Sequence, residues 1–353
     1  MSAELTTPAP LPRRGEVVLP VPRMRVRWYG VAVAGILTAV LLVEIALELS
    51  IGEYPIALGD AFRIMFGGGD DIERLVVDSR LARALVALGA GIALGSAGAL
   101  TQTMAKNPLA SPDVIGITMG ASAAAVFVQV TAPNFAGVWS VPIAAMAGGV
   151  ATATVVVLLS AGGGVDTMRL VLVGVAVNAL AAAVVSFLLV SIDLQDASSA
   201  VSWLAGSVTN STWVEVGPLW AVIAVCAVVA AATSFDLRVM RLSDASARGL
   251  GAPVGVLTLV YWAVAVLLVS AAVAASGPIG FIALAGPQIA RLMFRSPTPP
   301  LIGAALTGGV LLLGADLLSR LVLSDLAVGV VTGVLGAPFL LALLVIMHRK
   351  ATV

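Results

Sequence analysis

Long apolar runs decide what this chain can fold into: neither Ala221–Ala232 nor Tyr261–Ala275 contains a charged side chain. Crossing a hydrocarbon layer about 30 Å thick takes about 20 apolar residues at a rise of about 1.5 Å each. Stretches of that kind fall near 28–50, 82–105, 114–131, 139–160, 168–190, 214–235, 254–275, 279–294, 301–323 and 326–347. They predict an all-α membrane protein with about ten transmembrane helices. A membrane β-barrel would instead alternate apolar and polar residues in segments of about ten. Charged residues make up 11% of the chain, against about 25% in soluble domains. The shortest run, Ile279–Phe294, carries Pro287 and Gln288; if it does not span, the C-terminus changes side.

With ten spans and an inner N-terminus, 14 basic residues fall on one side of the membrane and five (Arg63, Arg74, Arg80, Arg83 and Arg320) on the other. The positive-inside bias then predicts that both termini are cytoplasmic. Residues 1–27 hold prolines 8, 10, 12, 20 and 22 and no apolar run, and read as a disordered basic leader near anionic headgroups. The transmembrane domain is expected over 28–350, with a cytoplasmic segment near 236–252. Net charge is zero, so nucleic acid is not suggested.

Absences narrow the chemistry. Neither lysine, Lys106 nor Lys350, stands in a Gly-Lys-Ser/Thr loop, so the chain has no P-loop for nucleotide. His348 is the only histidine and Cys226 the only cysteine, which excludes disulfides, histidine-based metal sites and the common serine triad. His348 reads as an interfacial base and Cys226 as packing; a catalytic role for this chain alone is not expected.

Acids inside spans are few. Glu44 and Glu48 fall late in the first helix, and Asp316 precedes Arg320 by one turn, an order that lets that pair partly neutralise itself. Gly89, Gly91, Gly95 and Gly98 in the second helix include the small-residue spacing that lets backbones approach closely in lipid.

The most specific features are loops and helix ends: Arg80-Leu-Ala-Arg83, Lys106-Asn-Pro-Leu-Ala-Ser-Pro-Asp113, Trp203-Leu-Ala-Gly206-Ser207, Asp244-x-x-Ala247-x-x-Leu250-Gly251, Gly277-Pro-Ile-Gly-Phe through Arg291, Ala315-Asp316 with Arg320, and Gly336-Ala-Pro338-Phe. In this order they resemble the FecCD-type permeases, the family of ABC importers for iron chelates and cobalamin. The resemblance runs from the first helix to about Ile346. It implies a pair of permease subunits, this chain with itself or with a paralogue, and two cytoplasmic ATPases that use ATP and Mg. It also implies an extracytoplasmic substrate-binding protein and a bacterial plasma membrane location. No cofactor or metal is expected on this chain.

Residue by residue, the resemblance implies that Arg80, Arg83 and Arg320 face acidic residues of the binding protein; pairing with Asp78 or Asp316, or reaching to headgroups, is the alternative. Asp244, Ala247, Arg248, Leu250 and Gly251 match the ATPase coupling segment, with Ser243-Asp244 where the family commonly has Gly-Glu. Asn178 and Ser186, with Ser198, Ser199, Ser202 and Trp203 of the following short segment, match the translocation path, although Asn178 could equally bond to a neighbouring helix. Gln288, where many members have histidine, and the Asn107–Asp113 segment are closer to members that import ferric siderophores, especially catecholates. A transporter driven by an ion gradient and a membrane subunit that moves nothing are the other classes left open.

Overall fold

The computed structural model describes residues 16–18, 25–52, 54–132, 136–160, 167–323 and 326–351. Within the leader, β1 (Glu16–Val18) pairs antiparallel with β2 (Arg25–Arg27), Val17 opposite Val26. These six positions are therefore extended and paired where an irregular leader was expected; the rest of the leader lies outside the described residues.

Fourteen α-helices follow among the described residues. They are α1 (Trp28–Ser50), α2 (Leu58–Met65), α3 (Asp71–Ala105), α4 (Ile117–Thr131), α5 (Ser140–Ser160), α6 (Thr167–Val190) and α7 (Leu194–Leu204). The second half holds α8 (Trp213–Ala232), α9 (Ser234–Val239), α10 (Asp244–Gly249), α11 (Val254–Ser276), α12 (Ile282–Met293), α13 (Leu301–Val322) and α14 (Val328–Ala351). Among the described residues, seven helical segments are long and apolar enough to cross a membrane, with Ile117–Thr131 and Val328–Ala342 as shorter apolar helices. Each of the ten expected spans is helical.

Two boundaries differ for local reasons. The second expected span starts at Asp71 rather than near 82, because Asp70 and Glu73 form a capping box that ties off a polar first turn. The eighth is 12 residues long, about 18 Å at about 1.5 Å per residue, and too short to cross alone. Gly277 and Phe281 have φ of 69° and 66°, so the chain between α11 and α12 is not helical. Its backbone lies against the turn after α7: Ser207 N–H donates to Ser276 O at 2.9 Å, and a Cβ added at Gly277 or Gly206 would collide with the carbonyl of Trp203 or Pro278 respectively. Irregular backbone is tolerated at membrane depth only when buried in protein like this.

Helix α3 is the axis of the bundle, packing on α1, α8, α11, α12 and α13. A Cβ added at Gly91, Gly95 or Gly98 would collide with the carbonyl of Gly308, Ala304 or Ala283 respectively. The glycine stripe thus brings α3 into backbone contact with α13 and α12. Lipid tails are as apolar as leucine, so close van der Waals packing is what holds such helices together.

Candidate functional site

At the end of α3 where it begins, three arginines converge on the end of α1. Arg83 Nε and Nη2 donate to both carboxylate oxygens of Asp316 at 2.8 Å, with the two side chains 10% and 1% exposed. Arg320 is paired with the carboxylate of buried Glu48 and donates to Ile51 O at 2.6 Å. Arg80 donates to Leu49 O at 2.8 Å and Tyr54 O at 2.7 Å. The last carbonyls of α1 have no partner within their own helix, and cations there also complement the helix dipole.

This corrects the pairing expected along α13. Asp316 binds Arg83 across the α3–α13 seam, and Arg320 binds Glu48 of α1. The glycine contacts bring those helices so close that a bidentate fork faces Asp316 squarely, which a neighbour one turn along the same helix does not offer. Asp78, offered as another arginine partner, accepts from Trp213 Nε1 at 2.9 Å. Arg80 and Arg83 are each 8% exposed, so these guanidinium groups are built into the fold.

Beside them at the same end lies a partly polar cavity of about 780 Å³. Ser198, Ser199, Ser202 and Trp203 line it together, as do Gln129, Ser207, Thr209 and Glu215. Asn178 and Ser186 are not part of this lining. Ser186 is exposed and bonds to Ala182 O of its own helix, while Asn178 is half-buried where α6 passes close to Gly116. Sequence reasoning missed Gln129, whose signal was a lone amide in the apolar α4, and Glu215, whose carboxylate also caps α8 through Thr212.

At the opposite end, α10 lies at the edge of the bundle, against α11. Ser243 caps it by accepting from Ser246 N–H at 3.1 Å, and Lys106, in the left-handed conformation that ends α3, pairs with Asp244. Ala247 is 1% exposed and seats the helix on the core, whereas Leu250 is 68% exposed. Arg248 is exposed, and Gly251, with φ of 83°, turns the chain away. A short helix with one buried small residue, an outward leucine and a charged rim is suited to fill a partner's groove.

Nearby, Asp113 accepts from Thr118 Oγ1 and Ser111 Oγ. Burial pushes its carboxyl above the ordinary value, opposed by those two hydrogen bonds. Gln288 is fully buried; its amide donates to Gln102 Oε1, and Gln102 Nε2 donates to Leu284 O at 3.2 Å. No group of three or more His, Cys, Asp or Glu among the described residues could hold a metal ion. The side chain of His348 lies outside the described residues.

The chain is 38% identical over 295 residues to the ferric enterobactin transport system permease protein of Escherichia coli, covering 83% of this chain and 87% of that one. It is 37% identical over 316 residues to the achromobactin transport system permease protein of Dickeya dadantii, covering 88% and 89%. Its fold matches a solved metal-chelate type ABC transporter in an inward-facing conformation with a TM-score of 0.77 and 25% identity, over 89% of this chain and 99% of that one. The model of the FecCD transport family matches residues 28–346, and the chain belongs to that family.

Proposed function

We propose that this chain is the permease subunit of an ATP-driven importer of ferric siderophores, embedded in a bacterial plasma membrane with both termini cytoplasmic. It forms half of the path with a second copy or a paralogue. Two ATPases beneath it use ATP and Mg, and a binding protein delivers the chelate from outside. Relatives named for ferric enterobactin and achromobactin support the cargo class.

The observation that carries the mechanism is the Lys106–Asp244 pair. It ties α10, with Leu250 outward, to the end of the helix that runs through the bundle to Arg83. Movement of an ATPase groove around Leu250 is thereby passed to α3 and, at its far end, to the arginine cluster and the serine-lined cavity. Direction requires that the chelate interact differently with the two states so reached. In this reading Arg80 and Arg320 serve docking by holding the backbone around Ile51 and Tyr54 in shape, and Arg83 by fixing α3 to Asp316 beside them. Ser198, Ser199, Ser202 and Trp203 border the outer mouth of the path, with Asn178 and Ser186 on the α6 face toward the second subunit. Asp244 and Arg248 form the rim around Leu250, Ala247 its seat, and Gly251 the turn that ends it.

The test is uptake of a panel of ferric siderophores into proteoliposomes holding this chain, its ATPase and its binding protein. Uptake should require ATP, and Leu250→Asp should abolish it while leaving membrane assembly intact. Accumulation driven by an ion gradient with no ATPase present would overturn the assignment.

A further inference from the structure

A second cavity, of about 550 Å³, opens between α3, α8, α11 and α13 toward the Lys106 end, and no transport role above uses it. Its walls are apolar, with Ile92 and Leu100 on α3, Ile223 on α8 and Leu268 on α11. Ile92 to Leu100 spans about 12 Å of helix at about 1.5 Å per residue, close to the roughly 15 Å of one leaflet's hydrocarbon. At the mouth stand Arg238 and Arg241, with the first turn of α13, whose opening N–H groups receive no side-chain cap.

Two guanidinium groups make the mouth basic, with Asp236 as the acid on the same short helix. Among the described residues no carboxylate forms an ion pair with Arg238 or Arg241. Arg241 donates to Pro299 O at 3.3 Å, and its Nε is buried with no hydrogen-bond partner. Burial and the neighbouring Arg238 charge both hold the Arg241 guanidinium below its ordinary value, which is the strain that an approaching anion would relieve. A free anion would satisfy the arginines but leave the apolar walls uncovered.

We propose that this groove binds an anionic phospholipid, with one acyl chain along Ile92–Leu100 and the phosphate held by Arg238 and Arg241. Guanidinium groups bind phosphate through paired, charge-assisted hydrogen bonds. Because α9 leads directly into α10, a lipid held there steadies the segment that carries Leu250. The site requires neither ATPase nor cargo, so it stands or falls independently of the transport assignment.

The experiment is native mass spectrometry of the detergent-purified full chain with equimolar dioleoylphosphatidylglycerol and dioleoylphosphatidylcholine. Wild type should retain phosphatidylglycerol preferentially. Arg238→Gln with Arg241→Gln should weaken that preference about thirtyfold, from two interfacial cations each contributing roughly fivefold. Ala227→Phe, which fills the groove wall and touches neither arginine, should lower retention as well. Equal retention of the two lipids by wild type, or undiminished phosphatidylglycerol in the double variant, would overturn the proposal. So would displacement by equimolar inorganic phosphate together with full retention in Ala227→Phe, since the site would then read a free anion. If the double variant aggregates, Ala227→Phe decides alone.

Discussion

Arg83 grips Asp316 through two hydrogen bonds of 2.8 Å across the seam between α3 and α13, 233 positions apart in the chain. The pair sits one turn from Arg320 and its partner Glu48, so two buried ion pairs lock α1, α3 and α13 at one end of the bundle. Taking such charges out of water is costly, and the pair is favourable only because its geometry is bidentate and complete.

Removing one member is therefore worse than removing both. Asp316→Leu should lower stability by about 3–5 kcal/mol by taking away the carboxylate that receives Arg83 Nε and Nη2, while Arg83→Met with Asp316→Leu should recover most of it. Thermal unfolding of the detergent-purified chain reads this; additive losses in the double variant would contradict it.

Substituting leucine at Gly95 should open the α3–α13 seam, because the new side chain has to occupy the place of the Ala304 carbonyl. The loss should be at least about 3 kcal/mol, beyond ordinary overpacking, since backbone rather than a side chain has to yield. Gly35→Leu, at a position with open space, is the control and should unfold like wild type.

Lys106 and Asp244 are 40% and 55% exposed, so Lys106→Ala should change stability by less than about 1 kcal/mol. Its effect should fall on coupling, with ATP hydrolysis continuing while uptake drops. Parallel measurement of both rates in proteoliposomes checks this, and unchanged uptake would remove the pair from the mechanism.

Gln288→Leu should cost about 1–3 kcal/mol by leaving Gln102 Oε1 without its donor in the core. Replacing both glutamines with leucine should be milder than the single change. Urea or thermal midpoints of the three variants decide.

Asp113 gives a pH signature. Burial holds its carboxyl above the ordinary 3.8, so the folded state binds a proton more tightly than the unfolded chain does. The stability this contributes is complete below about 3.8 and is lost as pH rises through the folded value. Asp113→Asn should accordingly gain on wild type as pH rises from 4 toward neutrality, as followed by unfolding midpoints across that range; parallel curves would contradict it.

Hydropathy alone marked the ten apolar helices, and seven helical segments among the described residues meet the one-dimensional requirement of bilayer thickness by themselves. The glycine stripe was legible from its spacing, whereas the short segment bearing Leu250 was pointed to by the family resemblance. Only the tertiary structure decided which acid each arginine meets, since Arg83 and Asp316 come together through the angle and closeness at which α3 packs on α13. It also decided that Gln129 and Glu215 share a cavity with the serines of α7, and that the chain between Ser276 and Ile282 leaves the helix. Those outcomes depend on which backbones can touch, and the bilayer, being indifferent to apolar side chains, leaves that choice to packing.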